Sequence, residues 1–106
     1  MIQHQEMVRA LCKPGADIKS ELTPTDCHLI HMAIGLSGEA GELLDAIKKP
    51  TIYRKPLDPD NVIEELGDLE FYMEGLRQAL GITRQQTLEH NIAKLSKRYG
   101  KQQLLS

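Results

Sequence analysis

Glu39-Ala40-Gly41-Glu42-Leu43 and Glu65-Leu66-Gly67-Asp68-Leu69 both read acid-x-Gly-acid-Leu, and they begin 26 residues apart. Acids three positions apart share one face of a helix. If two such helices pack together, four carboxylates converge. Left partly buried and unpaired, they cost several kcal/mol, on the order of ~3–5 for a broken buried pair. A positive charge must compensate. Donors that are all oxygen, without Cys or His, suit a hard cation, Mg²⁺ first and Mn²⁺ as a substitute. Gly41 and Gly67 each weaken a helix by about 1 kcal/mol relative to Ala. That cost makes sense where a ligand or a neighbouring backbone must come close. The competing reading is four ordinary solvated charges, since a single E-x-x-E pair means little. A di-iron bundle would need Glu-x-x-His pairs, and this pattern has none.

The elements that must position these acids are helices. Aromatic residues are only 4% of the chain, and β-branched runs are short, which disfavours strands. A first helix is expected from about Ile2 to Leu11, ended by Pro14-Gly15. A second begins at Thr23-Pro24-Thr25-Asp26, with Thr23 as N-cap, Pro24 at N1 and Asp26 closing a capping box. Its stripe is Leu29, Ala33, Leu36, Ala40, Leu43, Ile47, a bundle seam, and Lys48 and Lys49 close it. Pro50 to Pro59 reads as a loop. Asp58-Pro59 starts a third helix with the seam Val62, Leu66, Leu69, Met73, Leu76, Leu80 and Gly81 as its cap. Thr83-Arg84-Gln85-Gln86 opens a fourth, with Leu88, Ile92, Leu95 and Tyr99 ahead of Gly100. The last six residues read as frayed.

Helical geometry places the acids on these elements. At about 100° per residue, Glu39 lies roughly 60° and Glu42 roughly 120° from the centre of the second helix's stripe. Glu65 lies about 40° and Asp68 about 100° from Leu69. All four sit on the shoulder of the core.

Composition narrows the function. The chain has 106 residues and one domain's worth of sequence. With 15 acidic and 13 basic side chains the net charge is -2, which is unlike a nucleic-acid-binding surface. No apolar run reaches the roughly 20 residues of a membrane span. The N-terminal residues lack the pattern of a signal peptide. Cys12 and Cys27 form neither a disulfide framework nor a metal pair, and free thiols fit a reducing cytoplasm.

The ordered set Gly38-Glu39-Ala40-Gly41-Glu42-Leu43, Glu64-Glu65-Leu66-Gly67-Asp68-Leu69, and Asn91-Ile92-Ala93-Lys94-Leu95 followed by Arg98-Tyr99 resembles the MazG-like family of all-α nucleoside triphosphate pyrophosphohydrolases. The likeness spans about Leu29 to Tyr99. It implies one domain over residues 1–106. The implied reaction is hydrolysis of a (deoxy)nucleoside triphosphate between its α and β phosphates, often as nucleotide house-cleaning. It also implies Mg²⁺ held by Glu39, Glu42, Glu65 and Asp68, and assembly as dimers or dimers of dimers. Triphosphate carries about four negative charges, so carboxylates reach it only through metal ions, which also activate water. Glu42, or the more solvated Glu64, is a candidate proton acceptor.

Supporting residues divide between roles. Asn91, Lys94 and Arg98 form one polar stripe able to hold phosphate, or a plain solvated face near a helix C-terminus. Lys48, Lys49, Arg54 and Lys55 flank the proline-rich loop and read more simply as solvated charges than as a closing lid. Tyr72, one turn after Asp68, suits either base stacking or the core. His28 and His31 share the acidic shoulder and could line a nucleoside pocket with Glu39, although a structural histidine is the commoner case. They are too few for zinc. Met32 and Met73 read as core fillers, and Gly35 and Gly38 as close packing or room for a nucleoside.

The expected architecture is an all-α, small bundle of four main helices. Ile30, Ile34 and Leu44 form second stripes that want a partner, so a homo-oligomer is expected. The rival to an enzyme is a non-enzymatic helical oligomer, or a nucleotide-binding module on the same scaffold.

Overall fold

A computed structural model describes residues 1–100. Five helices follow in order: α1 (His4–Leu11), α2 (Gly15–Glu21), α3 (Pro24–Thr51), α4 (Pro59–Leu80) and α5 (Arg84–Tyr99). The fold is all-α, without a strand among the described residues. The expected frayed end lies outside the described residues.

Local chemistry sets the starts of α3, α4 and α5, and the end of α4, where the sequence placed them. The Asp26 N–H donates to Thr23 Oγ1 at 3.1 Å, and the Thr23 N–H donates to Asp26 Oδ2 at 3.0 Å. Pro24 occupies the first turn of α3, where no N–H is needed. The Asn61 N–H donates to Asp58 Oδ1 at 3.2 Å, ahead of α4. Thr83 and Gln86 form the reciprocal box of α5, at 2.8 and 3.0 Å. Gly81 adopts φ +68 after α4, and the Ile82 N–H reaches back to the Arg77 carbonyl at 2.8 Å. That turn is left-handed, which glycine adopts without strain.

Two local features differ from the expectation. The short helix α2 follows Pro14-Gly15, where the chain read as broken. It is held by local bonds rather than an apolar stripe: Asp17 and Ile18 N–H groups donate to the Pro14 carbonyl, and Lys13 pairs with Glu21. Helix α3 also continues through Pro50 to Thr51, past Lys48 and Lys49. A proline in the last turn removes a single backbone bond there. Thr51 Oγ1 donates to the Ile47 carbonyl at 2.7 Å, and the Ile52 N–H donates to the Lys48 carbonyl at 2.8 Å.

Helices α3 and α4 pack antiparallel and supply the dominant tertiary contact among the described residues. Their contact line keeps half of the expected seam: Leu29, Leu36 and Leu43 of α3 and Val62, Leu69 and Leu76 of α4 are half-buried. Met32 and Ala46 are the buried residues of α3, and Glu39 lies midway between them, seven positions from each. On α4 the matching line runs Glu65, Tyr72, Ala79, all half-buried. Both helices are thus rotated by about 60° from the expected seam, toward the acids. Seam residues Ile47, Leu66 and Leu80 remain 39%, 48% and 55% exposed.

Two glycines permit this approach. A Cβ on Gly35 would lie 2.1 Å from the Tyr72 ring, and one on Gly75 would lie 2.4 Å from Met32 Sδ. Gly38, Gly41 and Gly67 have open space at that position, so packing within the chain does not explain them.

The rest of the chain stands open. The chain as a whole exposes 8989 Å², where a compact monomer of 11.9 kDa exposes about 5,900 Å². Its radius of gyration is 20.0 Å, against about 13 Å for a compact domain of this length.

Gly35→Ala should destabilise the protein by about 1–3 kcal/mol, because the Tyr72 ring must leave its seat. Gly38→Ala, in open space on the same helix, should stabilise by about 0.5–1 kcal/mol. Denaturant unfolding of the two variants checks both signs.

Candidate metal centre

Each acidic side chain is placed by a helix that packing holds rigid. Glu39 projects from the middle of α3, while Glu65 and Asp68 project from successive turns of α4. One carboxylate oxygen from each of Glu39, Glu65 and Asp68 lies within 4.8 Å of the others. Glu42, one turn beyond Glu39, stands outside this trio but is close enough to act on Glu65 electrostatically.

The electrostatics follow from that crowding. Burial against α3 pushes the Glu65 carboxyl above its ordinary value of 4.5, and a hydrogen bond shared with Glu39 adds to this. The negative charges of Glu39, Asp68 and Glu42 raise it further. Glu65 therefore resists ionisation when nothing positive is nearby. No lysine or arginine is ion-paired to this trio among the described residues.

The donor set fits a divalent ion. Three oxygens, all from carboxylates on two rigid elements, match the preference of Mg²⁺ and Mn²⁺ for hard ligands. Glu39, Glu65 and Asp68 are the residues that would hold such an ion.

The other singled-out residues scatter. Tyr72 is half-buried with its ring against Gly35 and edge-on to Phe71, at 5.1 Å between centroids. A cavity of about 440 Å³ on the same helix pair is lined by His28, Met32, Phe71, Glu74, Gly75 and Gln78. His28 is thus in a cavity wall, while His31 is exposed on α3 outside it. Asn91, Lys94 and Arg98 are exposed on α5, and the Arg98 guanidinium lies over the Tyr99 ring at 5.6 Å. Lys48 likewise lies over Tyr53. Sequence reasoning missed Phe71, Glu74 and Gln78. Steps of 3, 4 and 3 from Asp68 through Phe71 and Gly75 to Gln78 were the available signal.

A family model described as the MazG nucleotide pyrophosphohydrolase domain matches residues 29–102, which include all four acids and the cavity apart from His28. No curated protein and no solved structure matches the chain.

Without metal, the raised Glu65 carboxyl makes folding favour its protonated form. That contribution is complete below about pH 4.5 and is lost as pH rises through the elevated value. Thermal melts of the metal-free protein should therefore lose this increment above pH 4.5. Glu65→Gln should melt higher than the parent at pH 7 without metal.

Proposed function

This chain belongs to the MazG nucleotide pyrophosphohydrolase family, and from that premise we propose that it hydrolyses (deoxy)nucleoside triphosphates with Mg²⁺. The bond cleaved lies between the α and β phosphates, and the products are a nucleoside monophosphate and pyrophosphate. The observation that carries this reading is the convergence of Glu39, Glu65 and Asp68 within 4.8 Å, inside the matched segment.

The role of each residue follows from charge. Glu39, Glu65 and Asp68 hold the metal, with Glu42 completing the set by a change of rotamer. When bound, a divalent ion neutralises phosphate charge, polarises the phosphoryl group and acidifies water. A carboxylate of the set that is not fully engaged as a ligand can take the proton of the attacking water. Glu42 suits that task better than Glu64, because it already interacts with Glu65. Half-burial of Glu39 and Glu65 lowers the local dielectric and strengthens each of these interactions.

The working unit in this proposal is a homo-oligomer in a reducing cytoplasm. About 3,000 Å² of surface beyond the compact-monomer value is of the order that an obligate interface removes. The apolar residues that the α3–α4 contact leaves exposed, among them Ile34, Leu44, Ile63 and Leu66, are its natural lining. Asn91, Lys94 and Arg98 on α5 then supply cations and an amide for phosphate, delivered within the assembly, with His31 at the rim.

Product identification from a nucleotide panel tests the reaction. Monophosphate and pyrophosphate are expected, and diphosphate with inorganic phosphate would contradict the proposal. Glu39→Gln and Asp68→Asn should each lower kcat by at least about 100-fold, the scale of a lost electrostatic contact to developing charge. Retained activity in both would remove the site assignment. Light scattering should give a mass of at least twice 11.9 kDa, and a stable monomer would refute the assembly.

A further inference from the structure

The two helices that carry the acids are joined by a turn rich in cations. Lys49 lies seven residues beyond Glu42, on the same shoulder of α3, about 10 Å further along at 1.5 Å per residue. After Thr51 the chain folds back on that end. The Tyr53 N–H donates to the Lys48 carbonyl at 3.4 Å, and the Lys55 N–H donates to the Lys49 carbonyl at 3.1 Å. The backbone of Arg54 and Lys55 is thereby laid against the end of α3. Lys48 is engaged elsewhere, over the Tyr53 ring at 5.6 Å.

Arg54 stands in the left-handed region with φ +55, the one non-glycine residue there among the described residues. A Cβ makes that conformation costly. Glycine is the usual residue where a helix ends this way, and the same chain places Gly81, φ +68, after α4. Backbone strain of this kind collects at functional positions. No contact of the fold offsets it. Arg54 and Lys55 are exposed, and neither is ion-paired among the described residues, while Lys49 meets Asp45 at 3.2 Å. As plain solvated charges, these residues would leave an arginine where glycine fits better.

Charge decides which way a polyphosphate would extend from the acids. Toward the C-terminal end of α4, the guanidinium of Arg77 is already held by Glu70 and Glu74, at 3.7 and 3.0 Å. Toward the turn, the cations of Arg54 and Lys55 have no carboxylate partner. We infer that Arg54 and Lys55 bind the terminal phosphate of the substrate, so that the site takes nucleoside triphosphates in preference to diphosphates. The inference rests on the pyrophosphohydrolase reading of the acids. The acids serve the phosphates at the bond that breaks. The third phosphate extends toward the turn, where a guanidinium fork and an ammonium group meet it. A diphosphate ends short of them.

Steady-state kinetics on the best triphosphate of the nucleotide panel and on its diphosphate test the assignment. The parent protein should favour the triphosphate in kcat/KM by at least about tenfold, the scale of one charge-assisted contact. Arg54→Gly combined with Lys55→Gln should bring that ratio toward unity, through a higher KM for the triphosphate alone. Arg54→Gly by itself should melt no lower than the parent, because glycine takes that φ without strain. A lost preference then reports the cations rather than the fold. Calorimetry with Mg²⁺ should show inorganic tripolyphosphate binding the parent more tightly than pyrophosphate, and the double variant binding the two alike. A parent ratio near unity, a ratio that the double variant keeps, or a lower melt in Arg54→Gly overturns the role of the turn and leaves the reaction standing. Absence of turnover on every nucleotide overturns both.

Discussion

Like charges pressed into the contact between two long helices are the constraint on which this molecule turns. Glu39 occupies the centre of the α3 packing line, midway between the buried Met32 and Ala46, and meets Glu65 and Asp68 of α4. Leu29, Leu36, Leu43, Leu69 and Leu76 share that contact, yet acids alternate with them where further apolar residues would pack better, and Leu66, Ile47 and Leu80 stay open. The upward push on Glu65 is the direct signature of that choice. Crowded carboxylates of this kind cost stability unless a positive charge joins them.

The rest of the architecture serves that line. Gly35 and Gly75 let α3 and α4 approach closely enough to seat Tyr72 and Met32. Capping by Thr23, Asp58 and Thr83 fixes where each helix starts, and with it the rotational phase of every acid. One-residue slippage would turn a carboxylate by about 100° and dissolve the trio. The cavity lined by Met32, Phe71 and Gly75 takes its shape from the same two helices.

Much of this was legible from the residues. Caps announce themselves by type and offset, because few side chains can satisfy the first orphan N–H groups of a helix. The pairing of Glu39 with Glu65 and Asp68 followed from matched spacing on two helices. The rotation of the contact line was not legible, because periodicity finds an apolar face without saying which neighbour covers it. Glu39 read as a shoulder residue for that reason. Helix α2 escaped because its bonds are local and its seven residues are too few to show a period. Pro50 read as a stop, although the last turn of a helix tolerates the missing N–H. Phe71 and Gln78 fell between the leucine seam and the acids and drew no notice until the cavity gave them a common wall.

The central claim concerns the acids and a divalent ion, and nucleotide-free protein tests it most directly. Titration with Mn²⁺ followed by electron paramagnetic resonance should show loss of the free-ion signal at a stoichiometric ratio. Below neutral pH, binding should release protons, because ligation displaces the proton that the Glu65 environment favours. A Mn²⁺ spectrum that stays that of the free ion at millimolar concentration, with no proton released, would contradict the account.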